Sequence, residues 1–295
     1  MNRDELHARA RRHRLAQAES ELVEQSGAAP VTRDEIAQAL GLVGVEKGST
    51  LLVHCSLSAL GWVNGGAQVV IETLLASVGV DGTLVMPTHS TQLTDPGTWA
   101  QPAVPERWHD RVRATMPAWD RHLTPTRWMG QVAELFRLQP GVLRSDHPHA
   151  SFAAAGRNAR WVTELHPLSD SLGDESPLGR LYEANAHILL LGVGFENNTA
   201  LHLAESRAQW PGRQTFVTGA PMKGADGRVA WNEFMDQEYN SADFADVGRS
   251  FECSSVDAVC TARVGSAQLR LMEVRRLVDF SVAWFEQARL FDMNG

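Results

Sequence analysis

The residues with the clearest chemical promise run Gly192-Val193-Gly194-Phe195-Glu196-Asn197-Asn198-Thr199-Ala200-Leu201-His202-Leu203-Ala204-Glu205. An apolar strand from His187 to Gly192 delivers the chain into a polar turn, Asn198 or Thr199 can cap the helix that follows, and His202 falls in that helix's first turn. Catalytic groups of open α/β sheets collect where strands end at their carboxyl edge, which is where this order puts His202. A helix start disfavours the imidazolium, so His202 is suited to accept a proton near neutral pH. Glu205 lies close enough along the helix to share a face with it. The competing reading is a histidine that only packs in a core or sits on a helix surface.

Two further groups carry chemistry. Arg144-Ser145-Asp146-His147-Pro148-His149-Ala150-Ser151-Phe152 sets two histidines beside an acid, and with His54 they could serve a zinc hydrolase, although the spacing matches no metal-binding motif. Val53-His54-Cys55-Ser56-Leu57-Ser58-Ala59-Leu60-Gly61, with Gly65-Gly66, offers hydroxyls and backbone N–H groups at a strand's end that could hold a carbonyl or phosphate oxygen. Its glycines have neither P-loop nor dinucleotide spacing. Cys55 beside His54 invites a thiol nucleophile, but neighbouring strand residues point to opposite faces, so a packed structural cysteine is the simpler reading.

These groups need a scaffold. The chain has 295 residues and 43% hydrophobic content, enough for a substantial core, and a net charge of -8 that disfavours nucleic-acid or anionic-membrane partners and suits a cationic small molecule. No apolar run approaches the roughly 20 residues of a membrane helix. Three irregularly spaced cysteines, Cys55, Cys253 and Cys260, suggest a reducing cytoplasm. At the N-terminus, acids interleave with Arg3, Arg9, Arg11, Arg12 and Arg14, which reads as a surface helix or frayed arm over residues 1–30 rather than a targeting segment.

After a break at Gly27-Ala28-Ala29-Pro30, Thr32 and Glu35 form a capping box for a helix. The strand Thr50 to His54, a glycine-rich loop, a helix from Ala67 to Val78 and the strand Thr83 to Met86 make a βαβ unit, hence an α/β fold with a largely parallel sheet. Residues 91 to about 127 carry Trp99, Trp108 and Trp119, with Trp128 following, and five prolines with no period, so they form a long loop or lid, or an insertion docked on the core. Beyond it come a helix from Gly130 to Leu138, a strand from Ser151 to Ala155, a helix from Ala159 to Leu165, the strand and helix around His202, strands near Gln214 to Val217 and Val229 to Asn232, and a helix from Glu273 to Glu286. A single domain over 31–295 accounts for them.

The segments Leu52 to Gly66, Gly82 to Thr88, Arg144 to Gly156, Ser176-Pro177-Leu178, Leu189 to Glu205 and Val264 to Ala267 resemble the aminoglycoside N3-acetyltransferase family, also called the antibiotic N-acetyltransferases, and the matches run collinearly from about residue 32 to 285. The resemblance implies a three-layer α/β/α sandwich with a largely parallel or mixed sheet, unrelated to the GNAT fold. It implies acetyl-coenzyme A as donor, the 3-amino group of a deoxystreptamine-containing aminoglycoside as acceptor, and antibiotic resistance as the outcome. By position in the family pattern His202 is the general base and Glu205 belongs to the acceptor pocket or supports it. Many relatives have an aspartate in the turn before the histidine, where this chain has Glu196. Coenzyme A is expected along His54, Ser56, Leu57 and Ser58 and near His147 and Ser151, with Arg144 as a basic wall. Asp95, Trp99 and Asp110 join Glu205 in meeting the cationic acceptor. Backbone N–H groups near Ser56 would stabilise the oxyanion, no metal is required, and a homodimer is admitted.

Three rival readings accompany this one: the same chemistry on another amine, a hydrolase using Cys55 or a histidine-bound metal, and a protein that sequesters a cationic drug without turnover.

Overall fold

The computed structural model of the chain describes residues 3–26, 29–100 and 102–291. Its helices are α1 (Arg3–Gln25), α2 (Arg33–Val43), α3 (Gly66–Val78), α4 (His109–Thr115), α5 (Gly130–Arg137), α6 (Ala159–Thr163), α7 (Pro177–Glu183), α8 (Leu201–Arg207), α9 (Phe244–Ser254) and α10 (Val274–Phe291). The strands are β1 (Thr50–Cys55), β2 (Thr83–Pro87), β3 (Leu143–Arg144), β4 (Phe152–Gly156), β5 (His187–Leu191), β6 (Thr215–Lys223), β7 (Val229–Gln237), β8 (Cys260–Val264) and β9 (Ala267–Glu273).

Seven strands form one sheet in the order β3-β4-β2-β1-β5-β9-β8. Only β2, β1 and β5 run parallel, joined by the βαβ crossover through α3 and flanked on both sides by antiparallel strands. The sheet is therefore mixed rather than largely parallel. The apolar-run reading passed over the flanking strands β8 and β9 and the helices α7 and α9, although Ala267, Leu269 and Leu271 alternate along β9 and Phe244, Val247 and Phe251 keep helical spacing in α9.

Alternation along the strands divides the core between two faces. Leu52, Val85, Ile188 and Leu190 pack with side chains of α6 to α10, while Leu51, Val53, Leu84, Met86, Leu189 and Leu191 pack with α2, α3 and α5. This is a three-layer α/β/α sandwich. The capping box at α2 forms as expected: Thr32 accepts from the Glu35 N–H, and the Glu35 carboxylate accepts from the Thr32 N–H. A separate antiparallel hairpin, β6 with β7, runs longer than its sequence pattern suggested.

The described side chains of α1 are largely exposed, and its end is tied to the body where the Trp62 N–H donates to Ser26 Oγ. Gly27 and Ala28 of the expected break lie outside the described residues, as does residue 101 within the long loop. That loop is ordered around α4 and three short turns. Trp119, 8% exposed, docks it on the hairpin by donating its N–H to the Pro221 carbonyl at 2.8 Å. Trp108 stays exposed. Among the described residues no helix is long and apolar enough to cross a membrane.

Candidate active site

Because β1, β2 and β5 are parallel, their carboxyl ends meet at one edge of the sheet, and there the loops after β1 and β5 open a cleft of about 930 Å³. The loops approach closely: at Gly192, with φ of 70°, an added Cβ would lie 2.8 Å from the Ala59 Cβ, so only glycine fits both the conformation and the space. Ser56, Leu57 and Ser58 line one wall, with the two serine hydroxyls 3.3 Å apart. Trp128 lines another, 77% exposed and held at φ 65°. A bulky residue in that region is uncommon, and such conformations gather at ligand sites. The Arg127 guanidinium lies 5.4 Å from its ring centroid.

His202, in the first turn of α8, stands three residues beyond Thr199, which lines this cleft, while neither His202 nor Glu205 is part of the lining itself. Its Nδ1–H donates to Glu205 Oε2 at 2.8 Å, leaving Nε2 as the basic nitrogen. Glu205 is fully buried, and its other oxygen accepts from Arg289 Nη1 at 2.7 Å and from the Asn240 N–H at 2.8 Å. Burial alone works against the Arg289 charge, but hydrogen bonds to Asp243 and Glu205 outweigh it and raise the guanidinium above its ordinary value. Arg289 comes from the last turns of α10, 84 residues away in sequence, and stacks 4.2 Å from the Phe285 ring centroid. Tyr239 and Phe244 frame the imidazole at centroid distances of 5.0 and 4.7 Å. This is the arrangement that an oriented general base requires: a carboxylate fixes the tautomer, and a buried cation fixes the carboxylate.

His54, at the end of β1, also lines the cleft. The Thr199 N–H donates to its Nε2 at 3.0 Å and the Thr199 hydroxyl lies 2.9 Å from the same atom. This bond replaces the expected cap. Thr199 is spent on His54, Asn198 Oδ1 accepts from the Ala200 N–H, and α8 starts at Leu201.

The remaining expected residues fall in different places. Glu196 lines the cleft, but its carboxylate turns back to accept from the Gly194 N–H and Asn197 Nδ2, at 3.2 and 3.1 Å, so Glu205 is the carboxylate on His202. Arg144, 5% exposed, is no wall of the cleft; it donates to the carbonyls of Thr88 and Thr124 at 2.6 Å and stacks on Trp119. Burial works against its charge, and these carbonyls replace water. Ser151 is buried between Thr88 and Arg144, and His147 is buried with Nδ1 accepting from the His149 and Ala150 N–H groups. These three therefore brace the β3–β4 edge and stand apart from the cleft lining.

Asp95 is taken by a bidentate ion pair with Arg113 at 2.8 and 2.9 Å, Asp110 pairs with the same arginine at 3.0 Å, and Trp99 donates to Thr94 Oγ1. None of these three lines the cleft. Asp146 pairs with Arg121 and accepts from Trp119, while His149 donates to the Gly219 carbonyl, so the set considered for zinc is distributed among separate partners. Burial pushes the Cys55 thiol up to about 12, and its side chain packs with the apolar face that carries α3. Sequence reasoning missed Arg289 and Asn240, for which no local pattern signals a role, whereas Trp128 is, among the described residues, the one tryptophan of the Trp-rich segment that lines the cleft.

Comparison with known proteins finds relatives over most of the chain. The family model described as aminoglycoside 3-N-acetyltransferase matches residues 52–286. The SPbeta prophage-derived aminoglycoside N(3')-acetyltransferase-like protein YokD of Bacillus subtilis (strain 168) is 44% identical over 257 residues, covering 87% of this chain and 93% of that protein. The crystal structure of YokD protein from Bacillus subtilis superposes with a TM-score of 0.87 at 42% identity, over 94% of this chain and 99% of the other. Aminoglycoside N(3)-acetyltransferase VIII of Streptomyces fradiae is 35% identical over 91% of this chain and 96% of its own length. The structure of AAC-IIIb in binary complex with CoASH has a TM-score of 0.77 at 28% identity, over 88% of this chain and 97% of that one.

Proposed function

The chain belongs to the aminoglycoside 3-N-acetyltransferase family, and from that premise we propose that it transfers the acetyl group of acetyl-coenzyme A directly to the 3-amino group of a deoxystreptamine-containing aminoglycoside, conferring resistance. The observation that carries this reading is the His202–Glu205–Arg289 chain set beside the cleft at the carboxyl edge of the sheet. His202 Nε2 takes the proton of the attacking nitrogen as that nitrogen bonds the thioester carbon. The carbon–sulfur bond then breaks, and the proton passes to the departing thiolate. General-base assistance of this kind is worth about 10² to 10⁴ in rate. The donor fits along Ser56, Leu57 and Ser58, as a relative holding CoASH supports. The catalytic unit is residues 31–295 with 1–30 as an arm, and its place is the cytoplasm, where its free cysteines stay reduced.

His202→Ala is expected to abolish turnover while largely sparing coenzyme A binding, read by thiol release and calorimetry. Full activity in that variant would overturn the assignment. Mass spectrometry of the product locates the acetylated nitrogen. A second reading keeps the chemistry and changes the amine, and it is favoured by one observation: Arg113 holds the Asp95 carboxylate in a bidentate ion pair, and neither Asp95 nor Asp110 lines the cleft where a polycation would meet it. Silence across an aminoglycoside panel, with thiol release on other amines, selects it.

A further inference from the structure

Acyl transfer needs a hydrogen-bond donor where the carbonyl oxygen gathers charge. The backbone near Ser56 was the expected source, but the Ser56 N–H is consumed by the sheet, donating to the Leu191 carbonyl at 3.0 Å. Another donor lies in the ring of His54. Its Nε2 accepts from the Thr199 backbone N–H, so that nitrogen holds the lone pair and the ring proton sits on Nδ1. His54 is 7% exposed, and Nδ1 is buried with no partner. An unmade hydrogen bond at a buried donor is costly, and native proteins rarely leave one without a use.

We infer that His54 Nδ1–H is the oxyanion donor of this site, hydrogen-bonding the acetyl carbonyl oxygen of the bound thioester and holding it more strongly as the tetrahedral transition state forms. The inference rests on the acyl-transfer reading above and adds a residue to it. Two features suit His54 to the task. Burial, with a smaller push from His202, holds it down to about 3, so the ring stays neutral and keeps one fixed tautomer throughout the working range. The same residue that locks the tautomer, Thr199, opens the turn into α8, so the donor and the base His202 are registered to one another through three residues of chain. Donor and base then address opposite charges in one step: His202 removes the proton from nitrogen while His54 meets the negative charge on oxygen.

The test separates the two ring nitrogens. His54→Gln can still offer the Thr199 N–H an acceptor at the Nε2 position but has no donor at the Nδ1 position. His54→Asn places an amide N–H near the Nδ1 position and gives up the bond to Thr199. We expect His54→Gln to lower kcat by about 10² to 10³ with little change in KM for acetyl-coenzyme A, and His54→Asn to retain more kcat than His54→Gln. Equal losses in both, tracking lost thermal stability, would make His54 a structural brace and overturn the proposal. So would an unchanged kcat in His54→Gln. In the unaltered protein, acetyl-coenzyme A isotopically labelled at the carbonyl should show that carbonyl's infrared stretch shifted to lower frequency on binding; an unshifted band also overturns it, whether or not the variants fold. Thiol release by the unaltered chain is measured first. Its absence on every amine removes the acyl-transfer reading and this one with it, whereas its presence beside an unaffected His54→Gln removes the His54 assignment alone.

Discussion

At the scale of single residues, the site is a set of charges and protons whose partners decide their roles. Glu205 is fully buried, and Arg289 is the cation that offsets it. Removing one member of a buried pair strands the other, so Arg289→Met should cost about 3–5 kcal/mol of stability and most of the turnover, read by urea unfolding and by kcat. Stability within experimental error of the unaltered protein would show that Asn240 alone suffices. Cys55 is the converse case: a thiol raised to about 12 is no nucleophile at neutral pH, and Cys55→Ser should keep turnover. Loss of activity there would revive the hydrolase. His202 and Glu205 were legible because a strand, a polar turn and a three-residue spacing are local patterns. Arg289 was not, because its meaning exists only once α10 is folded against α8. Arg144 misled for the opposite reason: a basic residue in a polar segment looks like an anion site until its donors are found filled by carbonyls.

At the scale of elements, local rules fixed starts better than extents. The α2 capping box is visible in four residues and forms as read, and Thr32→Ala should lower stability by about 1 kcal/mol in chemical unfolding, with catalysis intact. An unchanged unfolding midpoint would mean that packing of Ile36, Leu40 and Val43 alone holds the helix. The start of α8 shows a tertiary bond overriding a local one, since Thr199 serves His54 rather than capping its own helix. The β6–β7 hairpin was read as two short strands because Gly219 and Pro221 interrupt the strand pattern of β6 and Asn232, Glu233 and Asp236 that of β7, and only the pairing extends it to Lys223 and Gln237.

At the scale of the whole molecule, the parallel centre of the sheet was readable from continuous apolar strands. The antiparallel flanks were not, because β8 has an exposed and partly polar pattern. Titration is a property of this scale too. Burial holds His149 and His166 down to about 4, and His54 and His89 down to about 3, against an ordinary value of 6.5. Between those limits the unfolded chain binds more protons than the folded one, so stability is full above about pH 6.5 and falls as the pH drops toward 4. One group displaced as His149 is contributes roughly 3 kcal/mol over that window. Unfolding midpoints measured from pH 8 to 4 should be flat and then decline, and His149→Gln should make the decline shallower. Carboxylates such as Asp95, lowered chiefly by its hydrogen bonds from Arg113, give up their share only at more acid pH. A flat profile down to pH 4 would show that these histidines are solvated in the native state.

The hold of α10 on the base has a consequence for biosynthesis. Arg289 follows every strand of the sheet and every loop of the cleft in chain order. A nascent or clipped chain that stops short of it can assemble every strand and still lack the cation that sets Glu205 behind His202. Assembly of the His202–Glu205–Arg289 chain therefore waits on the folding of α10 against α8, whatever the state of the sheet.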